Sequence, residues 1–340
     1  MSYRYVGKGL PRVDAFEKIT GMAKFVADME VPGMLYGKFL RSPHAHARIL
    51  NIETKQAEKY PGVVAAITGQ AFPYRMGLYV RDKMVLAKDK VRWAGEPVAA
   101  VAAESEEAAE EAIGLIDVKY EPLKTVFDVN EALKTGAPLV HEDLAQYEHS
   151  PVFTPVPGTN IANIFKIRRG NVEDGFKHAA TIVENEFSMP QVSHGAMEPR
   201  ACIAQYFPDG STEVWTCAQS PFAVRYILSH ALGIPIQKIN VHVPHVGGGF
   251  GGKAGINFEP LVVLLSKFAG GRAVKLLLTR EEEFTTAPLR QGFYAWIRTG
   301  VDANGKITAE QMKYIYDAGA YADYGVNIGR AAGYSCTGPY

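Results

Sequence analysis

A glycine-rich run at residues 247–253 (GGGFGGK) has the residue types best suited to binding chemistry. It contains five glycines, one phenylalanine and one lysine. The stretch before it, 239–246 (INVHVPHV), alternates in polarity and predicts a strand, and the largely apolar run 258–268 after it predicts a buried helix. A glycine loop between a strand and a helix presents backbone N–H groups and a helix N-terminus to an anion. We therefore expect a phosphate or a polar oxo group at this loop.

Two nucleotide-binding motifs can be matched to the same run. Gly247, Gly249 and Gly252 match G-x-G-x-x-G, but that dinucleotide motif belongs in the first βαβ unit with an acid about 20 residues further on, a position that here falls inside the apolar run. Gly252-Lys253 matches the end of a P-loop, yet Ala254 stands where a magnesium-binding Ser or Thr is needed. A simple turn would use only one or two glycines. The loop is therefore predicted to bind something other than a nucleotide.

The whole chain carries motifs in one order that resembles the large, molybdenum-binding subunit of the xanthine dehydrogenase/aldehyde oxidase family of molybdenum hydroxylases. They are RVD at 12–14, KITG at 18–21, AD at 27–28, RSPHAHA at 41–47, GEPV at 95–98, GNVE at 170–173, HGAMEPR at 194–200, TCAQSP at 216–221, VGGGFGGK at 246–253 and DAGAY at 317–321. The loop VGGGFGGK resembles the pterin-cofactor loop of that subunit.

The resemblance assigns roles at the metal. Gln219 would give its side-chain amide to the apical oxygen of molybdenum, and the backbone of Phe250 with its flanking glycines, Gly248, Gly249 and Gly251, would close over the metal. From the residues alone, Gln219 is also compatible with a surface glutamine, because the Ser-Pro pair after it suits an ordinary helix start. The implied cofactor is molybdenum bound to molybdopterin, with the cytosine dinucleotide form left open.

Ala254 marks a departure from part of the family. In purine-oxidising members an acid follows the loop lysine and binds the heterocycle, and here that position is Ala254. Glu259 is the next acid, and a helix there would turn it away. The resemblance therefore implies hydroxylation, with oxygen taken from water, of an aldehyde or an N-heteroaromatic ring such as nicotinate rather than a purine. His194 and Glu198 are interpreted as structural, the carboxylate holding loop backbone.

The family's large subunits continue beyond the position that matches Tyr340. The expected continuation holds an arginine–phenylalanine–glycine segment and the glutamate general base, so no catalytic residue is assigned within this chain. We expect either a natural split subunit or a truncated polypeptide, with an exposed apolar surface where the other half packs. The alternative function is a non-catalytic half that carries or scaffolds the cofactor and is inactive alone.

Composition excludes several other classes. The 36 basic and 36 acidic residues balance, which gives no electrostatic footprint for nucleic acid. No apolar window is long enough for a membrane span, and the first residues lack a signal-peptide core, so a cytoplasmic location is expected. Cys202, Cys217 and Cys336 are too few for an iron–sulfur cluster and form no disulfide pattern. Electrons are thus expected to leave through a partner subunit with two 2Fe-2S clusters and a further FAD subunit.

The predicted fold class is α+β. Residues 1–125 are expected to form a small α/β hammerhead-type domain, 126–160 a connector, and 161–340 the first part of a mixed α+β molybdopterin-binding domain. Strands are predicted at 35–40, 63–68, 98–102, 117–120, 182–187, 201–206, 212–216, 239–246 and 274–278, and helices at 104–116, 221–232 and 258–268. The acidic run 104–111 is interpreted as the solvated face of its helix, with Ala108, Ala112 and Leu115 on the packed face. His242 and His245 point to opposite faces of a strand and are not expected to share a metal.

Overall fold

A computed structural model describes residues 3–72, 74–322 and 324–335. The strands are β1 (Leu35–Arg41), β2 (Ala47–Glu53), β3 (Val63–Thr68), β4 (Arg75–Met76), β5 (Lys83–Met84), β6 (Lys90–Val91), β7 (Pro97–Ala103), β8 (Asp117–Pro122), β9 (Thr181–Met189), β10 (Ala201–Tyr206), β11 (Thr212–Thr216), β12 (Ile239–His242), β13 (Val274–Leu277), β14 (Gly292–Val301) and β15 (Ile307–Asp317). The helices are α1 (Ala15–Ile19), α2 (Lys55–Glu58), α3 (Glu106–Ile113), α4 (Val129–Ala132), α5 (Val172–Lys177), α6 (Pro221–Leu232), α7 (Glu259–Phe268), α8 (Arg280–Thr286) and α9 (Gly325–Ser335). The predicted α+β class is confirmed.

One seven-stranded mixed sheet forms the centre of the molecule, in the order β12-β11-β10-β13-β1-β7-β3. It combines strands from the first third of the chain with strands from the second half. The junction is the parallel pair β1–β13, in which Leu35 lies opposite Val274. The division into separate domains at 125 and 161 stays a prediction from sequence, and the sheet runs across it.

Helices α6 and α7 pack on this sheet. Gln219 lies shortly before α6, and the glycine-rich run lies before α7. In α7 the residues from Glu259 to Ser266 are all buried, because the helix packs against β10 and its neighbours. Helix α6 begins with Pro221 at its first turn and ends at Gly233, whose φ of 65° suits glycine. Strand ends and helix starts therefore converge at the edge of the sheet that carries the glycine-rich run.

Helix α3 corrects the predicted helix 104–116 at both ends. Ser105 accepts a hydrogen bond from Ala108 N–H (3.1 Å) and so caps the helix, which ends at Ile113. The buried face consists of Ala109 and Ala112, whereas Leu115 lies beyond the helix and is 38% exposed. The acidic residues of this helix face outward, as predicted.

Strand β12 is shorter than the predicted strand 239–246. Its neighbour β11 ends at Thr216, and the last registered pair is Trp215 with His242. Beyond that pair, Pro244 has no N–H group to continue a ladder. The four residues before the glycine-rich run therefore belong to the loop.

The three-stranded sheet β15-β14-β9 leaves its edge strand uncovered. All nine residues of β9 are exposed. Four of them are apolar: Ile182, Val183, Phe187 and Met189. These four side chains form exposed apolar surface, and the expectation that another half packs on such a surface stays a prediction.

Two of the three cysteines lie within the described residues. Cys202 and Cys217 are buried free thiols, and Cys336 lies outside the described residues. Burial raises the pKa of the Cys217 thiol to about 11, which keeps it protonated. Among the described residues no helix is long and apolar enough to span a bilayer.

Candidate cofactor site

The structure brings Gln219 onto the glycine-rich loop, as the resemblance implies. Gln219 follows β11 and directly precedes α6, and its side-chain Oε1 accepts hydrogen bonds from Gly251 N–H (3.0 Å) and Lys253 N–H (3.2 Å). Its backbone N–H donates to the Lys253 carbonyl at 2.8 Å. Because two N–H donors face one side-chain atom, that atom must be the oxygen, which fixes the orientation of the amide. Gln219 is therefore a surface residue that is also bonded to the loop, and its role at a cofactor stays a prediction.

The other half of the Gln219 amide is available to a ligand. Within the described residues, Nε2 of Gln219 has no hydrogen-bond acceptor. Gln219 is exposed, so a ligand can reach its side chain. A fixed amide with free donors is suited to an oxygen that carries partial negative charge.

Three consecutive backbone N–H groups add to these donors. Those of Gly248, Gly249 and Phe250 have no acceptor in the part of the chain that the structure describes, whereas their neighbours Gly247 and Gly251 donate to side chains. Successive N–H groups in a glycine turn form an anion-binding concavity. The predicted oxo or phosphate site thus consists of main-chain donors next to the Gln219 amide.

Glycine is required in this loop for two separate reasons. At Gly249 a Cβ would lie 2.5 Å from Gln219 Cδ, so only glycine lets the loop and that side chain approach so closely. At Gly251 a Cβ would meet no described atom within 4 Å, but φ is +91°, a conformation that other residues rarely adopt. Between them Phe250 has a φ of 53° without being glycine, and its side chain is 74% exposed.

A buried ion pair fixes the glycine-rich loop on the side that faces the protein interior. Lys253 is 2% exposed, and its Nζ lies 2.7 Å from Glu198 Oε2 and 2.9 Å from the Glu198 carbonyl. The same Oε2 accepts the Gly247 N–H at 2.8 Å. Glu198 therefore holds loop backbone, as predicted. Lys253 points inward rather than toward a ligand, which is a second reason to exclude a P-loop.

A second buried pair, which the sequence did not suggest, fixes the other end of the loop. The Arg200 guanidinium bonds both the Glu283 carboxylate and the Gly252 carbonyl, and Arg200 N–H donates to Glu283 Oε2 at 3.0 Å. Glu283 lies in α8, 83 residues away. Arg200 stood in the motif at 194–200, but no spacing rule links it to an acid so distant in sequence.

His194 packs against the same end of the loop. A Cβ on Gly252 would lie 2.7 Å from His194 Nδ1, so the glycine makes room for the ring. Burial, with a further contribution from Arg200, lowers the pKa of His194. The imidazole thus acts as packing beside the loop, in agreement with its structural interpretation.

The N-terminus of α7 is not the anion site that the sequence predicted. Seven residues separate Gly251 from the first helical residue, Glu259, and the helix start is buried. The Glu259 carboxylate itself accepts the Asn257 N–H (2.8 Å) and the Thr216 hydroxyl (2.9 Å). Because the protein's own carboxylate occupies that position, the anion-binding donors are those of the loop alone. These bonds fix the Glu259 carboxylate, and its expected orientation away from a substrate stays a prediction.

The remaining residues discussed from the sequence are Ala254, His242 and His245. Ala254 is half-buried directly after the loop, and its carbonyl lies 3.3 Å from the Tyr324 hydroxyl. His242 bonds Glu213 (2.5 Å), whereas His245 bonds Glu17 (3.2 Å), so the two imidazoles have different partners. Throughout the described ranges, no group of three or more His, Cys, Asp or Glu side chains could hold a metal ion.

Two family models match most of the chain. Residues 153–340 match the molybdopterin cofactor-binding domain. Residues 20–124 match the a/b hammerhead domain of aldehyde oxidase and xanthine dehydrogenase. The glycine-rich loop and Gln219 lie in the first range.

Individual proteins are similar over nearly the whole chain. The nicotinate dehydrogenase large molybdopterin subunit of Eubacterium barkeri is 32% identical over 340 residues, which cover 99% of this chain and 76% of that protein. A probable xanthine dehydrogenase subunit of Bacillus subtilis is 35% identical over 331 residues, or 97% of this chain but 42% of that protein. The crystal structure of quinoline 2-oxidoreductase from Pseudomonas putida 86 matches with a TM-score of 0.82 at 33% identity, over 93% of this chain and 40% of that one.

The chain therefore spans about two-fifths of the length of the second and third of these proteins. The two family models cover most of its residues. The chain belongs to the xanthine dehydrogenase/aldehyde oxidase family of molybdenum-binding large subunits.

Proposed function

We propose that this chain binds molybdenum-molybdopterin at residues 248–251 and Gln219, as part of an oxidoreductase that hydroxylates an aldehyde or an N-heteroaromatic ring with oxygen from water. The observation that carries the proposal is the set of unpaired donors. The N–H groups of Gly248, Gly249 and Phe250 and the Nε2 of Gln219 have no acceptor among the described residues. Such a set suits the oxo and phosphate oxygens of the cofactor.

The residues of the site fit this group sterically as well as chemically. The glycines keep side chains away from the donors, and the positive φ values of Gly248 and Gly251 turn the main chain outward. When bound, the cofactor would supply the two-electron oxidation and the site where water-derived oxygen is transferred. The chain's own part is to hold the cofactor oxygens, to keep the amide of Gln219 aimed at one of them, and to fix the loop from below through Lys253 and Arg200.

The proton-accepting base of the reaction is proposed to lie beyond Tyr340. Three carboxylates lie under the loop, and each has a fixed partner: Glu198 bonds Lys253, Glu259 bonds Thr216 and Glu283 bonds Arg200. A carboxylate committed to a buried ion pair is a poor base, because losing its charge strands the partner. The base is thus assigned to the C-terminal half of the site, on a continuation of this chain or on a separate polypeptide.

The electron partners are proposed from the family and from the cysteine content. A 2Fe-2S cluster normally uses four thiolates, and residues 1–340 contain three cysteines. Of these, Cys202 in β10 and Cys217 directly after β11 are buried. We therefore assign the clusters and FAD to partner subunits.

Ala254 supports the substrate class. Its methyl group leaves space after the loop where an acid would bind a purine, and neither aldehydes nor simple N-heteroaromatic rings need that acid. The names of two relatives, nicotinate dehydrogenase and quinoline 2-oxidoreductase, refer to such rings. A second candidate function is a half that carries the cofactor without turnover. It is favoured because Glu198, Glu259 and Glu283 each have a fixed hydrogen-bond partner.

The test is chemical identification of the cofactor in the native complex. Acid oxidation of the purified complex should release a fluorescent pterin, with molybdenum present in equal amount, and nucleotide analysis would show whether CMP accompanies it. ATP with magnesium should leave the melting temperature unchanged, since a nucleotide that bound the folded protein would raise it. A complex with no pterin, or one stabilised by ATP, would overturn the proposal. Pterin without turnover on aldehydes or N-heteroaromatic rings would favour the carrier function.

A further inference from the structure

Helix α8 carries the residues that fix one end of the glycine-rich loop. The Glu283 carboxylate accepts the Arg200 backbone N–H at 3.0 Å and bonds the Arg200 guanidinium, which also donates to the Gly252 carbonyl. Three residues earlier in the helix, Arg280 Nη2 donates to the Met197 carbonyl at 2.7 Å. The position of α8 therefore determines where Arg200 holds the loop.

This helix cannot fix its own position. It has seven residues, and isolated helices of that length are unstable in water. Its first turn is closed locally, because Thr279 Oγ1 accepts the Glu282 N–H (3.1 Å) and Glu282 Oε2 accepts the Thr279 N–H (2.8 Å). That capping box stabilises the helix start but does not orient the helix. The orientation must come from contacts with the rest of the chain.

Arg41, the first residue of the motif at 41–47, supplies two of these contacts. Its Nη1 donates to Thr285 Oγ1 at 2.9 Å, and its Nη2 lies 3.3 Å from Glu282 Oε1. Arg41 ends β1, and the pairing of β1 with β7 shifts its register between Leu40 and Arg41. Such irregularities redirect side chains at a strand end. A planar guanidinium can bond two acceptors at once, which suits a residue that fixes a helix in one orientation.

Gly95, in the motif at 95–98, lets α8 lie close to the same part of the chain. A Cβ on Gly95 would lie 3.1 Å from the Thr285 carbonyl and 2.9 Å from the Trp93 ring, and φ is +107°. Arg41 and Gly95 both belong to the range that matches the hammerhead domain, whereas α8 belongs to the range that matches the cofactor-binding domain. Two motifs without a role at the cofactor thus meet on one helix.

We propose that Arg41 is a positioning residue for the cofactor loop, because it keeps α8 where Arg200 can hold the Gly252 carbonyl. The path runs from Arg41 through Glu282 and Thr285 to the helix, and from Glu283 through Arg200 to the loop. Only the expected effect on turnover rests on the proposed function. The effect on the loop itself needs no bound cofactor.

Hydrogen exchange of the native complex, followed by mass spectrometry, measures the loop directly. Arg41→Met removes both donors. Arg48→Met is the matched control, since Arg48 pairs with Glu121 at 3.4 Å on a different part of the hammerhead range. In a peptide that contains residues 249–254, exchange should be about tenfold faster in Arg41→Met and unchanged in Arg48→Met. Exchange in α3 should be the same in all three proteins, which shows that the opening is local. Wild-type exchange of the loop in Arg41→Met would overturn the inference.

Turnover per bound molybdenum is the second measurement, with whichever of benzaldehyde, nicotinate or quinoline the wild-type complex oxidises. Arg41→Met should lower kcat roughly tenfold at unchanged KM, because a displaced loop misplaces the cofactor rather than the substrate contacts. Arg200→Lys keeps a cation beside Glu283 but lacks the fork that also reaches Gly252. Adding Arg41→Met to Arg200→Lys should therefore lower kcat by less than about twofold more.

Three results would contradict the role of Arg41. They are a lower melting temperature with unchanged turnover per molybdenum, the same loss in Arg48→Met, and losses that multiply in the double variant. A wild-type complex without pterin would instead overturn the proposed function, and loop exchange in Arg41→Met would still decide whether Arg41 positions the loop.

Discussion

The two sides of the glycine-rich loop differ in how their polar groups are used. On the inner side the charged groups form ion pairs, with Lys253 bonded to Glu198 and Arg200 bonded to Glu283 and the Gly252 carbonyl, while Glu198 Oε1 and Arg200 Nε are buried without a partner among the described residues. On the outer side, the N–H groups of residues 248–250 and the Gln219 amide have no described acceptor. A loop fixed on one face and unsatisfied on the other is preorganised for a ligand, because its donors need no rearrangement when the ligand arrives.

The largest effect should come from breaking the inner side. Lys253→Met leaves the Glu198 carboxylate buried without its cation, so the assembled enzyme should lose about 3–5 kcal/mol of unfolding free energy. Urea denaturation measures it. Lys306→Met, at an exposed lysine, is the control and should change little. The double variant Lys253→Met/Glu198→Leu should recover much of the loss, and no recovery would show that the pair is not the cause.

The next effect tests the outer side at Gln219. Gln219→Ala should keep most of the molybdenum but cut turnover roughly a hundredfold, the scale of one preorganised donor. Gln219→Glu is the sharper variant, because its carboxylate still accepts from Gly251 and Lys253 but has no N–H to donate. Turnover measured against metal content should fall at least as far in this variant. A Glu variant with wild-type turnover would mean that Gln219 only holds the loop.

Two glycines on the loop separate steric effects within the protein from steric effects on the cofactor. Gly249→Ala should lower molybdenum content because its Cβ would displace the Gln219 side chain, and Gln219→Ala in the same chain should remove that part of the loss. The Cβ added by Gly251→Ala would meet no described atom, so this variant should lose molybdenum only through a steric effect on the cofactor. Adding Gln219→Ala should therefore leave that loss unchanged. Alanine is used at residue 251 because a β-branched residue at φ +91° would add backbone strain. Metal analysis of the four variants distinguishes these outcomes.

The smallest effect concerns a buried group outside the loop. Burial, aided by Arg92 and Arg75 and opposed by Glu142, lowers the pKa of His141 to about 3 from 6.5. The unfolded chain therefore binds a proton that the folded chain does not, and stability should fall by about 1.4 kcal/mol per pH unit as pH drops from 6.5 toward 3. Urea midpoints at pH 7 and pH 5 measure the slope.

The control for this prediction is an exposed histidine. His141→Gln should remove the extra loss of stability between pH 7 and pH 5, whereas His178→Gln should keep it. The same pH dependence in wild type and His141→Gln would contradict the assignment to His141.

The sequence predicted some parts of this molecule well, for physical reasons. Strands 201–206 and 212–216 and helix 221–232 have the predicted bounds, because apolar periodicity and a Ser-Pro helix start are local properties. The proximity of Gln219 to the loop followed from resemblance, and the roles of Gln219, Phe250 and Ala254 at a cofactor stay predictions. The end of β12 was wrong because it depends on where its neighbour β11 ends.

The role of Glu198 in holding loop backbone was predicted, but the partners of Lys253 and Arg200 on the inner side could not be. Whether Lys253 faces a ligand or Glu198 depends on packing that brings together distant residues, and the same holds for Arg200 and Glu283. At the start of α7 the Glu259 carboxylate accepts the Asn257 N–H. The protein's own carboxylate thus occupies the helix N-terminus that was expected to bind an anion. Periodicity cannot show which of two available acceptors a buried donor will use.

The shared central sheet has a consequence for how the chain is made. Strand β1 pairs with β13, so Leu35 leaves the ribosome long before Val274 exists. Until then β1 has β7 on one side and an open edge on the other. Open edges recruit foreign strands, and distant pairings form slowly. Residues 1–125 produced as a separate fragment would retain that edge permanently, so the boundary suggested by sequence is a poor place to cut this protein.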